Sequence, residues 1–286
     1  MGRPVPPRHL PFDGRAFRLR MGLRSLPSGG WLEPDGHRGG DLAQKARLLA
    51  ERHDQVAALA ADPMGSVRSA CEELVALIAQ EGGRPMSAAD GHPIEVAGRS
   101  TQEDWCVHVP DGVGRWRLVA ACVCFPTRWV LADKIGRTVR EIHAPVAFYD
   151  DQLADPVDAF FDRLRPGLEH GVWRLNWNLL DDPALYQPVR TGGPDAPTTV
   201  TAADAGDTVW FRVERQTLVK LPQTGAVVFG IRVHVDPLGS LASDPDALER
   251  LERSVRAMPP EAWEYKGLGA YGDQVLDWIA ARNAGR

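Results

Sequence analysis

Cysteine is scarce in this sequence, with Cys71, Cys106, Cys122 and Cys124 the only four in 286 residues. The C-x-C spacing of the last pair lacks the second half that a zinc knuckle requires, so buried thiols in a reduced compartment are the simpler expectation. No apolar run reaches membrane-spanning length. The N-terminal stretch carries Arg3, Arg8, Asp13, Arg15, Arg18 and Arg20, which leaves no space for the apolar core of a secretion signal, and a cytoplasmic protein is expected. Excess positive charge is missing as well. A formal net charge of -5 and an isoelectric point near 5.9 argue against a nucleic-acid binder, which needs a basic stripe to neutralise phosphates. No G-x-G-x-x-G follows a strand and no G-x-x-x-x-G-K-[ST] occurs, so the usual backbone cradles for dinucleotides and triphosphates are lacking. H-E-x-x-H is absent too, which disfavours conventional zinc hydrolysis.

What is present is an ordinary globular balance, 44% hydrophobic and 25% charged residues, enough for a sizeable core. Residues 1–40 are rich in Pro, Gly and Arg and read as an extended arm whose order depends on what it packs against. Residues 41–286 read as a single domain with helical additions. Leu42, Ala46, Leu49, Val56 and Leu59 recur at helical spacing behind Asp41, a plausible N-cap. A second helix is predicted from about Ser66 to Gln80, closed by Gly82-Gly83.

From Gly91 to Phe125 the pattern turns strand-like, with a hairpin centred on Asp111-Gly112 and an apolar strand from Leu118 to Phe125. Trp129 to Val139 reads as a helix interrupted by Gly136, and Val157 to Leu164 as a short one. Val172 to Leu179 is a tryptophan-dense strand, and 192–206 a surface loop. Two more strands, Val209 to Lys220 and Ala226 to Val235, are joined by the Pro-x-x-Gly turn of 221–225. The tail from Asp244 is helical, with a break at Pro259-Pro260. Helices, then a largely antiparallel sheet, then helices make an α+β fold.

Three groups of residues could carry chemistry. His143 is held in a rigid turn by Pro145, where an imidazole can be presented to a flat ligand such as haem, or simply hydrogen-bonded in place. In the strand through Glu214-Arg215-Gln216, alternation puts Glu214 and Gln216 on one face and Arg215 on the other. A pocket-facing carboxylate suits a cationic amine; an ordinary surface salt bridge is the plain reading. In Trp173-Arg174-Leu175-Asn176-Trp177 the polar pair opposes the apolar three, and Arg174 suits an anion such as a haem propionate or stacking on an aromatic ring. Glu264-Tyr265-Lys266-Gly267 either closes a pocket or ends a helix at a Gly cap. His108 and His234, in alternating strands, are expected to face solvent or a satisfied network.

The strings Ile142-His143-Ala144-Pro145-Val146, Trp173-Arg174-Leu175-Asn176-Trp177, Glu214-Arg215-Gln216-Thr217-Leu218 and Tyr265-Lys266-Gly267, in this order, resemble the haem-dependent oxidative N-demethylases. Phe125-Pro126-Thr127-Arg128-Trp129, Phe160 to Leu164 and Leu221 to Ala226 add to a likeness that runs from about Phe17 to Ala280. The sequence departs from it at Ala147, where a second proline is expected. The resemblance implies a PAS-like antiparallel sheet flanked by helices and holding haem b. It also implies O2-dependent removal of a methyl group from a small secondary amine such as dimethylamine, giving a primary amine and formaldehyde. Electrons would come from a separate reductase carrying FMN and a 2Fe-2S cluster and using NADPH. His143 would be the iron ligand, and Glu214, with Arg174 and Arg215, the catalytic group. Arg174, Tyr265 and Lys266 would contact the cofactor. The alternatives are a PAS-like haem sensor of gas or redox state without turnover, and a haem-free interaction subunit whose Trp-rich strand is core.

Overall fold

Period-two alternation between residues 172 and 237 folds into long antiparallel strands. In the computed structural model, which describes residues 7–61, 65–83, 91–189 and 198–284, these are β5 (Val172–Leu180), β6 (Trp210–Lys220) and β7 (Val227–Pro237). β6 and β7 pair from Trp210 with Pro237 to Lys220 with Val227, around the expected turn. The second hairpin, β3 (Asp104–Pro110) and β4 (Trp116–Cys122), joins β7 through β3. Short strands β1 (Arg24–Ser25) and β2 (Ala57–Leu59) finish a seven-stranded sheet of order β1-β5-β6-β7-β3-β4-β2. Edge strands this short offer little template for pairing with another chain. Every strand pairing is antiparallel, and with the helices the fold is α+β.

One face of the sheet carries the thick apolar layers. Trp105, Val107, Val219 and Val228 meet Trp31 of the arm and the helices α1 (Arg38–Glu51), α3 (Ser66–Gln80) and α4 (Pro93–Ser100). Phe211, Val213 and Leu179 meet α8 (Ala205–Thr208), α9 (Pro245–Arg256) and α11 (Gly272–Ala284). α4 lies so close to β4 that a Cβ on Gly98 would run into Cys122 Sγ. The opposite face is covered more thinly, by α5 (Val139–His143), α6 (Tyr149–Gln152) and α7 (Ala154–Arg163). All four cysteines are buried thiols. No helix among the described residues is long and apolar enough to cross a membrane.

Several boundaries differ from the sequence reading, each for a local reason. Trp129 to Val139 is not a helix: it holds one 3-10 turn, Leu131–Asp133, then Gly136 at φ +77° and the new helix α5, capped by Thr138. α4 interrupts the strand-like region, started by His92 as N-cap and Pro93 in the first turn. The helical spacing of Val56 and Leu59 gives way to α2 (His53–Val56) and then β2, because residues 57–59 pair with β4. The strand expected to reach Phe125 stops at Cys122, since the amides of Cys124 and Phe125 donate to the Asp104 carboxylate at 3.0 and 2.7 Å. Fully buried Lys45 neutralises that carboxylate at 2.9 Å. Of the loop 192–206, residues 192–197 lie outside the described residues, and α8 begins at Ala205.

The arm is ordered by two arginines projecting from the thick face. Arg215 donates to the carbonyl oxygens of Trp31, at 3.1 Å, and Gly30. Arg232 donates to Glu33 O at 3.3 Å and pairs with Asp35 at 2.5 Å. Removing Arg215 leaves buried acceptors unsatisfied, so Arg215→Met is expected to lower the unfolding free energy by about 3 kcal/mol. Urea denaturation checks this; a loss below about 1 kcal/mol would mean that the arm contributes little.

Candidate functional site

The thin face collects the polar residues that alternation placed there. Arg174 pairs with Gln216, Asn176 with Glu214 and Asn178 with Arg212 across β5 and β6. Glu214 is buried, and its carboxylate is held by neutral groups. Thr127 Oγ1 donates to Oε1, while Asn176 Nδ2 and Gln216 Nε2 donate to Oε2 at 3.3 and 2.8 Å. It forms no ion pair among the described residues. Arg212 makes no direct ion pair with it, its guanidinium being taken up by Thr127 Oγ1 at 2.9 Å and by the carbonyl oxygens of Phe125, Ala184 and Leu185 at 2.8–3.0 Å. Burial holds Arg212 down to about 10, below the usual guanidinium value.

His143 ends α5, and its Nδ1 lies 2.8 Å from the carbonyl oxygen of Val139, one helical turn back. That bond fixes the tautomer with Nδ1 protonated and Nε2 left as the basic nitrogen, the state a metal-ligating imidazole requires. The ring stacks on Tyr149 with centroids 4.7 Å apart and planes 14° apart. Burial lowers the His143 pKa, and the positive charges of Lys134 and Arg174 lower it further. Thr138 and Glu141 form a capping box that sets the register of this five-residue helix.

Arg174 links the two halves. Burial lowers its pKa, and the charge of Glu214 acts in the opposite direction. Its Nε has no hydrogen-bond partner, and the same holds for the buried Tyr149 hydroxyl and His108 Nδ1. Buried polar atoms without partners are few in native proteins, and three around one imidazole point to a polar ligand. Lys266 reaches the same group from the end of α10 (Pro260–Tyr265). Its Nζ donates to Trp177 O at 2.5 Å, on the open edge of β5, and burial pushes its pKa down to about 8.

Both non-glycine residues with left-handed backbone among those described flank this face. Arg128 (φ 59°) follows Thr127, and Phe148 (φ 63°) precedes Tyr149. Such conformations cost about 1–3 kcal/mol and gather at functional sites. A cavity of about 580 Å³ opens beside Phe148, lined also by Phe17, Arg18, Leu19, Gln152 and Pro259. Neither His143 nor Glu214 lines it.

His143, Arg174, Glu214 and Lys266 are thus brought together. Arg215 is not: it faces the arm on the other side of the sheet. Tyr265 is 38% exposed, and Gly267, at φ +72°, ends α10 as a glycine cap. The spacing G-x-G-x-x-G does occur at 267–272, but after this helix and not after a strand. His234 joins a hydrogen-bonded network with Glu33, as expected of it. His108 departs from expectation, since it is buried with an unpartnered nitrogen. Its alternation with Cys106 marks the thin face, but only the fold shows that α7 covers it through Phe161, whose ring lies 5.7 Å away. Tyr149 and Thr127 were within reach of the sequence, in the strings around His143 and Phe125.

Over residues 81–276 the chain matches the family described as "Haem-dependent oxidative N-demethylase, alpha subunit-like".

The site generates a pH dependence of stability. Burial pulls His108 from 6.5 down to about 4, so between those values the unfolded chain binds a proton that the folded chain refuses. Stability is therefore complete above pH 6.5 and falls as pH drops towards 4, by about 3 kcal/mol from this group. His143 shifts in the same direction and adds to the slope. Chemical denaturation from pH 7 to 4 is expected to give a shallower decline for His108→Asn; parallel curves would contradict a buried neutral His108.

Proposed function

The chain belongs to the haem-dependent oxidative N-demethylase alpha-subunit-like family, and from that premise we propose that it is the haem-binding subunit of a monooxygenase acting on a small secondary amine. The observation that carries this reading is the pairing, against one sheet face, of a back-bonded neutral imidazole, His143, with a buried carboxylate, Glu214, that forms no ion pair among the described residues. The chemistry of this donor set suits a haem b. His143 Nε2 would ligate the iron, and Arg174 and Lys266 supply two cations suited to the propionates. The unpartnered Arg174 Nε, Tyr149 hydroxyl and His108 Nδ1 would find polar partners around the bound group. When bound, haem supplies the iron at which O2 is activated against an N-methyl group.

The protein's own part is binding and orientation. Thr127, Asn176 and Gln216 fix both oxygens of Glu214 without cancelling its charge, so the carboxylate can hold a dimethylammonium-like cation in one pose. Glu214 can also accept the proton that such a cation must release before its nitrogen is free. The products are a primary amine and formaldehyde, with water from the second oxygen atom. The two electrons required come from a partner reductase bearing FMN and a 2Fe-2S cluster and drawing on NADPH. The PAS-like character of the sheet and a cytoplasmic location belong to the same reading. Arg215 holds the arm in it and takes no catalytic part.

The test is a visible spectrum of chain expressed with a haem precursor, before and after adding dimethylamine. A Soret band that shifts with amine is expected. His143→Ala should lose stoichiometric haem. Glu214→Gln should keep haem but lose the shift, with kcat/KM for the amine down roughly 100-fold. A haem band indifferent to amine would favour a sensor, and parental haem content in His143→Ala would remove the ligand assignment.

A further inference from the structure

A second cluster of ligand-forming side chains lies across the sheet from the haem site, under the N-terminal arm. His9 and Glu33 come from the arm and His234 from β7. His9 Nε2 and His234 Nε2 approach the same carboxylate oxygen, Glu33 Oε2, at 2.9 and 3.0 Å. One donor atom from each residue lies within 4.8 Å of the other two. The side chains are only 14%, 10% and 9% exposed for His9, Glu33 and His234. The two rings meet edge to face, with centroids 5.2 Å apart, so both point inward at one spot.

The geometry points to a two-histidine, one-carboxylate site for a first-row divalent cation, with zinc the natural occupant. Neutral imidazoles and a carboxylate bind zinc at about 2.0–2.2 Å, which puts neighbouring donors a little over 3 Å apart, close to the spacing here. Glu33 is prepared for one-oxygen ligation, because Arg8 Nε occupies its Oε1 at 3.0 Å and leaves Oε2 to the histidines. Asp35 Oδ2 stands 3.8 Å from His234 Nδ1, a carboxylate behind the ligand as in many histidine metal sites.

The nearby arginines are matched by acids. Arg8 and Arg215 face Glu33, and Arg232 faces Asp35 and Asp41. Arg215 comes no nearer to Glu33 Oε2 than 3.7 Å and spends its other nitrogens on the carbonyl oxygens of Gly30 and Trp31. Binding replaces N–H donation to Oε2 by coordination of both Nε2 atoms, so any proton they carry there is released to solvent. Because two ligands sit on the arm and one on the sheet, the ion would fasten the arm to β7.

The experiment uses tag-free full-length protein, chelator-treated and then titrated with zinc chloride by calorimetry and with cobalt chloride by absorption spectroscopy. Saturable binding of one ion per chain is expected, with ligand-field bands from cobalt and a zinc-dependent rise in Tm. His9→Ala and His234→Ala should each weaken binding by more than about 100-fold, beyond what loss of an outer-shell partner costs. Haem content, which depends on the opposite face, should stay at the parental level and report that the variants fold. No saturable binding, or binding that survives both substitutions, would overturn the assignment and leave the cluster as a hydrogen-bonded latch.

Discussion

Strict alternation along β6 is the constraint on which the rest of the molecule depends. It sends Arg212, Glu214 and Gln216 to one face of the sheet and Arg215 to the other, so charges of both signs are buried. Each must be satisfied by whatever covers its face. Arg215 is met by backbone carbonyls of the arm. Arg212 is met by carbonyls at 125 and 184–185, which ties the chain leaving β4 to the chain leaving β5. That tie brings Thr127 onto Glu214. The pose of the central carboxylate is thus a consequence of satisfying an arginine two residues away.

The two faces are unequal in a way packing alone would not favour. One carries continuous apolar layers with Trp31, Trp105 and Trp278 fully buried. The other leaves Arg174 Nε, Tyr149 Oη and His108 Nδ1 unpartnered, at a cost of about 1–3 kcal/mol for each such group. It also holds Arg128 and Phe148 in left-handed backbone. Backbone strain at Arg128 and Phe148, on the face that also carries Glu214 and His143, is of the kind that gathers at functional sites.

Strands with a clean period of two were legible in the sequence, and so was the facing of Glu214, Gln216, Arg174 and Asn176 that follows from it. Helices fared less evenly. Ser66–Gln80 has an uninterrupted apolar stripe and was found, whereas Trp129 to Val139 imitates one although Gly136 and the Thr138 cap divide it. His108 was misjudged because alternation fixes only which face a residue takes, and whether that face is wet depends on α7, far along the chain. Lys266 is given a cofactor contact by the resemblance alone, and its hydrogen bond to a backbone carbonyl 89 positions distant has no local signal. Glu33 had no local signal at all: its neighbours His9 and His234 lie 24 and 201 residues away.

His143 illustrates how short-range chemistry can aim a long-range ligand. The string Thr138-Val139-Arg140-Glu141 satisfies the capping box, with Thr138 N donating to Glu141 Oε2 at 2.7 Å and Glu141 N donating to Thr138 Oγ1 at 3.2 Å. That closure fixes where the helix starts, and a helix with a fixed start has a fixed direction for the carbonyl of Val139. That carbonyl, one turn before His143, accepts a hydrogen bond from the imidazole Nδ1. The tautomer of His143, and so the ring nitrogen it leaves free, is decided by a contact one turn back in its own helix.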